Sequence, residues 1–194
     1  MENRIQIVSF KKPQQPARYG ERFDRVSYAV NAYRNWDFVF EIPPTTILLE
    51  VPGPDSAATS GPAPPPVETR MSQLLHVQVF WQPQPGRTAI ESTQTNATLL
   101  YCLFTGDDVI AYEGAGFVFF EQTWDGRGLQ GRIESSDLVP TRFVNAPTDL
   151  FGPCRLEGTF RAEEDRGHVV AVLRELRSRL AAAARPVEAP PTPD

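Results

Sequence analysis

The sequence predicts a mainly β protein, a single antiparallel β-barrel or β-sandwich domain closed by one C-terminal amphipathic α-helix. Three observations carry that expectation. Between residues 71 and 135 apolar and polar side chains alternate over several short runs, the period of a strand with one buried face. Turn signals, above all Asp125-Gly126, separate those runs as hairpins require. Only one stretch, Val169, Val172, Leu173, Leu176 and Leu180, repeats with the period of a helix, with Arg174, Glu175, Arg177 and Ser178 opposite.

Charge divides the first elements from the rest. The chain of 194 residues has a net charge of −5. Residues 1–34 carry seven basic and three acidic side chains, so their net of +4 leaves the remainder at −9. Residues 1–20 are expected to be an extended basic segment lying on the protein's own acidic surface. The single domain is expected over residues 21–180.

Within it, Val26–Val30 and Asp37–Ile42 read as strands because aromatic and β-branched residues favour a pleated surface. Pro43-Pro44 should stop the second, and Thr46–Val51 should form a third. Residues 52–69 hold six prolines and a single apolar side chain larger than Ala, Val67. They predict a flexible Pro-rich loop. Leu75, Val77, Val79 and Trp81 then alternate with His76, Gln78 and Phe80, placing His76 on the wetter face. Residues 87–93 predict a short polar strand. Ala97–Phe104 is apolar on both faces and predicts a strand covered on both sides.

Val109–Tyr112 and Phe117–Gln122 are expected as extended segments around a bulge or bend at Gly114 and Gly116. Leu129–Ser135 returns across the Asp125-Gly126 turn. Residues 137–153 carry three prolines and no period, which predicts a packed loop, and Arg155–Phe160 is the last strand. The helix is expected at about 163–181, with Glu163, Glu164 and Asp165 at its positive end and His168 facing solvent. Residues 182–194 read as a disordered Pro-rich tail.

Composition excludes several functions. A mildly acidic chain without a basic run lacks the electrostatic footprint of a nucleic-acid binder. No stretch approaches the ~18 apolar residues of a membrane span, and the first residues lack the apolar core of a secretory signal. The expectation is therefore no nucleic acid, no membrane span and a cytoplasmic location. Cys102 and Cys154 stand far apart with only His76 and His168 as imidazoles, so no metal and no cofactor is expected and both cysteines read as structural thiols.

Three functional readings remain. The leading one is a non-enzymatic binding or assembly module whose partner the sequence does not name, the two candidates being a protein, itself or another, and a small apolar ligand. The second is a barrel carrying a small apolar ligand, with Trp81, Tyr101, Phe117 and Phe119 as its lining. The third is a carboxylate-dependent hydrolase using Glu113 and Glu121, which requires two carboxylates within about 5–10 Å across a cleft. No nucleophile elbow or phosphate-binding loop accompanies them, so the protein is read as a binder rather than an enzyme.

Overall fold

The alternation seen in the sequence becomes a closed wall in three dimensions. The computed structural model describes residues 3–11, 17–49, 67–83, 95–106, 108–144 and 149–183. Nine strands come first: β1 (Arg4–Ser9), β2 (Ala17–Arg22), β3 (Arg25–Val30), β4 (Trp36–Leu49), β5 (Val67–Val79), β6 (Ala97–Thr105), β7 (Asp108–Gln122), β8 (Gly128–Val144) and β9 (Cys154–Glu164). The helix α1 (Arg166–Ala183) follows.

β3 to β8 form an antiparallel meander, and β9 pairs with β8 on one edge and with β3 on the other, closing a seven-stranded barrel. The β3–β9 pairing is parallel and short, Ser27 with Glu163 and Tyr28 with Glu164. Below it the same edge of β9 is taken by β1, from Cys154 to Thr159. β1 in turn pairs with β2, so the basic N-terminal segment is a hairpin added to the sheet. Ile5 and Ile7 point inward and explain why it docks.

Inward positions fill the barrel. Phe38 packs edge-on against Phe120 and Phe160, both at 5.2 Å between ring centres. Phe40 continues the stack to Phe23 and Phe160, and Tyr101, Tyr112 and Phe151 complete it lower down. Such tilted and T-shaped contacts are the preferred geometry of aromatic pairs. The barrel is thus a side-chain core.

Outward positions of β3 to β7 meet α1. Cys102, Phe104, Val109 and Ala111 lie under Leu173, Leu176 and Leu180, and Ala29 and Val39 lie under Val169, Val172 and Leu173. β6 is therefore apolar on both faces because both faces are covered. Asp165 caps the helix, its Oδ1 accepting from the His168 N–H at 2.9 Å, while Glu163 and Glu164 belong to β9. Among the described residues no helix is long and apolar enough to cross a membrane.

Several boundaries differ from expectation. β4 runs through Pro43-Pro44, where the register with β5 shifts between Ile42 and Thr45; a proline is tolerated where the ladder is already interrupted. Residues 137–144 continue β8 rather than forming a loop. β9 leaves β8 at Leu138, so among the described residues Pro140 stands on a segment with one unpaired edge. Val109–Tyr112 and Phe117–Gln122 are one strand, with register shifts beside Tyr112 and Phe117. A side chain at Gly116 would run into Ser136 Oγ, 1.7 Å from an added Cβ, and one at Gly114 into the Asp137 carbonyl oxygen at 2.0 Å. The strand expected at 87–93 lies outside the described residues, as do residues 52–66 of the loop expected at 52–69 and 184–194 of the tail expected at 182–194, whereas residues 67–69 belong to β5 and 182–183 to α1.

Candidate functional site

Antiparallel order forces the β3–β4, β5–β6 and β7–β8 connections to one end of the barrel. The pairs Val30–Trp36, Val79–Ala97 and Gln122–Leu129 close the three hairpins there. Each connection exposes a large aromatic ring. Trp124 is 93% exposed, Tyr33 86%, Phe80 45% and Trp81 36%. Neighbouring strands lie about 4.8 Å apart, so the strand ends that lead into adjacent connections stand roughly 10 Å apart around the mouth.

The β3–β4 and β7–β8 turns are held by hydrogen bonds that leave Tyr33 and Trp124 in solvent. In the β3–β4 turn Asn31 Oδ1 accepts from the Tyr33 and Asn35 N–H groups at 2.9 and 3.1 Å, and Arg34 adopts a left-handed backbone with φ 62°. Asn31 Nδ2 donates onward to Asp37 Oδ2 at 2.9 Å. Asp37, buried on the outer wall, also accepts from His76 Nε2 at 3.0 Å and Gln78 Nε2 at 2.9 Å. Burial pushes its carboxyl up, but the three hydrogen bonds and the His76 charge outweigh that and hold it below its usual range.

The β7–β8 tip uses the same device. The Thr123 hydroxyl donates to Asp125 Oδ1 at 2.6 Å, and the Arg127 N–H donates to the same oxygen at 3.2 Å. Asp125 Oδ2 accepts from Arg161 at 2.9 Å. The Thr123 hydroxyl first, then the Arg127 N–H, keep this carboxyl below its usual range. Gly126 supplies the positive φ of 69° that the turn requires.

Asn96 holds the third connection and is fully buried. Its Nδ2 donates to the Trp81 and Val118 carbonyl oxygens at 3.0 and 2.9 Å, and its Oδ1 accepts from the Val118 N–H at 2.8 Å. It satisfies Val118 backbone groups on the β6 side of β7, beyond the point where β6 begins at Ala97 opposite Gly116.

The four candidate ligand residues separate. Trp81 and Phe117 meet at 5.6 Å and Phe117 and Phe119 at 4.7 Å, with the Arg132 guanidinium 4.8 Å from the Phe119 ring centre. This row runs along the outer wall from the loop end, because β5 ends at Val79 and Trp81 leaves its alternation. Tyr101 instead faces the core and donates to Gln73 Oε1. Glu113 and Glu121 sit eight residues apart on one strand, about 27 Å at ~3.4 Å per residue, and Glu121 accepts from Gln130 at 2.9 Å. The two do not form a cleft pair.

A groove of about 630 Å³ lies outside the barrel between α1 and the wall of β4–β6, with Leu74, Phe104 and Val172 in its floor. His168 faces it and contacts Glu41 Oε2, so it is turned toward the barrel and away from the solvent position expected. Arg25 pairs with Asp165 at 2.7 Å and Arg179 lies over Phe104 at 3.9 Å, tethering the helix at both ends. Cys102 and Cys154 are unpaired and buried, and burial pushes both thiols up to about 12. Such thiols are poor nucleophiles. Among the described residues no group of three or more His, Cys, Asp or Glu is gathered as a metal would need.

Sequence reasoning missed Tyr33, Asn31, Asp37 and Asn96. Asn96 had a local signal only as part of an Asn-Ala-Thr triplet, and the others acquire meaning once strand order places three turns at one end. No protein family, curated protein or solved structure matches this chain.

Proposed function

We propose that the protein is a non-enzymatic binding module that engages its partner through the three loops at the mouth of the barrel. The observation that carries this reading is the exposure of Trp124 and Tyr33, 93% and 86%, on turns fixed by their own hydrogen bonds. Large aromatic rings left in water on rigid supports lose little conformational freedom when a partner covers them. Tyr, Trp and Arg are also the residues that dominate binding energy at interfaces, and Arg34 and Arg127 stand exposed on the same tips.

Two features favour binding at the surface over the other readings. The interior positions that would enclose a small apolar ligand are occupied by Phe38, Phe40, Tyr101, Tyr112 and Phe160. The carboxylates proposed for hydrolysis are separated along β7. A cytoplasmic location remains part of the proposal.

Native mass spectrometry of protein purified without denaturation tests it, with wild type beside a Tyr33→Ala, Trp124→Ala double variant. A dimer or co-purifying species present with wild type and lost from an equally stable variant is the expected result. The same species with both proteins, or none with either, refutes the reading.

A further inference from the structure

β2 stands at the end of the strand order and, among the described residues, pairs with β1 alone. Successive residues of a strand direct their N–H and C=O groups to alternate sides, so half of its six residues present theirs to the open edge. Proteins blunt such edges with prolines or bulges. The unpaired stretch of β8 carries Pro140, and β4 carries Pro43-Pro44 where its register shifts. β2 has neither device: all six of its positions pair with β1 in unbroken register, and none is a proline.

The same edge is basic. Residues 3–22 hold Arg4, Lys11, Lys12, Arg18 and Arg22 against one acid, Glu21, in a chain of net charge −5. Ile5 and Ile7 face the core and stand opposite Glu21 and Tyr19, so the alternate positions Arg18, Gly20 and Arg22 fall on the outer face, with Arg4 opposite Arg22. Carboxylates of the neighbouring segments are placed otherwise. Asp137 pairs with Arg155 at 2.8 Å, and Glu157, across β1 from Gly20, acts on Arg155 as well. Asp149 accepts from Tyr112 and from two backbone N–H groups. Asp24 lines the groove beside α1, and Glu163 and Glu164 lie at the other end of β9, against β3.

We infer that β2 is a docking edge that takes an acidic extended peptide as an added strand. Backbone hydrogen bonds to the open edge supply affinity, and the side chains beside it supply choice. Arg18 and Arg22 stand four residues apart on one face, so the strand that fits carries two carboxylates at the same spacing and a large side chain between them, over Gly20. That position has room, since a Cβ on Gly20 would meet Arg4 Nη2 only at 3.7 Å, and a large cross-strand side chain covers an edge glycine well. On the other face Tyr19, 41% exposed, rests on Phe151 at 4.9 Å and offers apolar surface to the same strand. A second copy fits less well, because pairing centred on Gly20 sets Arg18 directly opposite Arg22.

The full chain is titrated by calorimetry with a nine-residue peptide bearing glutamates at its third and seventh positions, tyrosine at the fifth and valine and threonine elsewhere, and with the lysine analogue of that peptide. The glutamate peptide is expected to bind saturably, to protect residues 17–22 from amide hydrogen exchange and to release as salt rises. The lysine analogue should bind about tenfold more weakly or less. An Arg18→Glu, Arg22→Glu double variant should weaken the glutamate peptide about tenfold or more. Its melting should be unchanged, since Arg22→Glu sets a carboxylate opposite Arg4. N-methylation of one alternate set of the peptide's amides should abolish binding, while methylation of the other set leaves it.

No binding of the glutamate peptide, equal binding of both peptides, or protection confined to residues outside 17–22 overturns the inference. Binding indifferent to which set of amides is methylated overturns it too, because the peptide then lies on side chains without joining the sheet. Self-association in sedimentation velocity that the double variant abolishes, without peptide binding, makes a second copy the occupant and removes the acidic peptide. The Tyr33→Ala, Trp124→Ala variant should bind the peptide as wild type does, so this edge and the loop end stand or fall separately.

Discussion

Two regions of this barrel carry apolar side chains that face away from its interior, and only one is covered. On the outer wall of β5 to β7, Leu100, Cys102, Phe104 and Ala111 lie beneath α1. At the loop end Trp124, Tyr33, Phe80 and Trp81 have no comparable cover among the described residues. Burial on the wall contributes to folding at roughly 25 cal/mol per Å² of apolar area removed from water. Trp124 and Tyr33, 93% and 86% exposed, contribute almost nothing of that kind, so folding does not account for them. The difference separates side chains present for stability from side chains available to something else.

Substitutions on the two sides of that divide should differ most. Phe38 is completely buried and touches both Phe120 and Phe160, so Phe38→Ala is expected to cost about 4 kcal/mol in denaturant unfolding. Trp124→Ala and Tyr33→Ala should each stay within about 0.5 kcal/mol of wild type. A loss at Trp124 comparable to that at Phe38 would break the comparison, since the ring would then be part of the core.

Asn96 stands at the boundary between the regions and gives the next largest effect. Its amide satisfies the Trp81 carbonyl and both backbone groups of Val118. Asn96→Ala strands them in a buried site at about 3 kcal/mol. Asn96→Asp should fail similarly, because a carboxylate cannot donate to two carbonyl oxygens. Equilibrium unfolding measures the loss, and a shift in Trp81 emission would show that the loop end loosens with it.

These cases also mark where sequence reading succeeds. Alternation at Leu75, Val77 and Val79, the Asp125-Gly126 turn and the helical face from Val169 to Leu180 are local patterns, and each corresponds to the observed element. Trp81 fails because the alternation was carried two residues past the strand end. Tyr101 does face the interior, where neighbouring side chains fill the space, whereas Phe117 and Phe119 face outward, because in a run that is apolar on both faces period two alone does not say which face turns inward. Pro43-Pro44 and Pro140 mislead because a proline in a strand is judged by the ladder around it, and the register shift at Ile42 and the free edge beyond Leu138 are properties of the assembled sheet. The loop end was invisible for the same cause, since its residues lie about 90 positions apart from Tyr33 to Trp124 and converge only through strand order.

Acid should act on the loop end before the core. Asp37 and Asp125 both titrate below their usual range in the folded protein, against about 3.9 for an unperturbed aspartate. Their contribution is complete above roughly pH 4 and is lost as pH falls through the folded values. Amide hydrogen exchange should therefore rise at residues 31–35 and 123–127 on acidification while β6 stays protected. Asp37→Asn removes the acid sensitivity of the first turn and, with one acceptor oxygen left for three donors, costs about 1–2 kcal/mol at neutral pH. Uniform loss of protection across the barrel would show that the tips are not separate units.

Ser27 sharpens the comparison from the covered side with the smallest effect. It lies on the helix-facing side of β3, between wall residues that α1 covers, and its hydroxyl has no hydrogen-bond partner among the described residues. A buried hydroxyl without a partner has lost its water and gained nothing in exchange. Ser27→Ala removes that cost and leaves only a small void, so it should be neutral or raise stability by up to about 1 kcal/mol. At that point of the wall the cover would then be seen to rest on apolar contact alone. A loss of more than about 1 kcal/mol would place a bound water or an unrecognised acceptor beneath the helix, and the covered wall would share with the loop end a reliance on fixed hydrogen bonds.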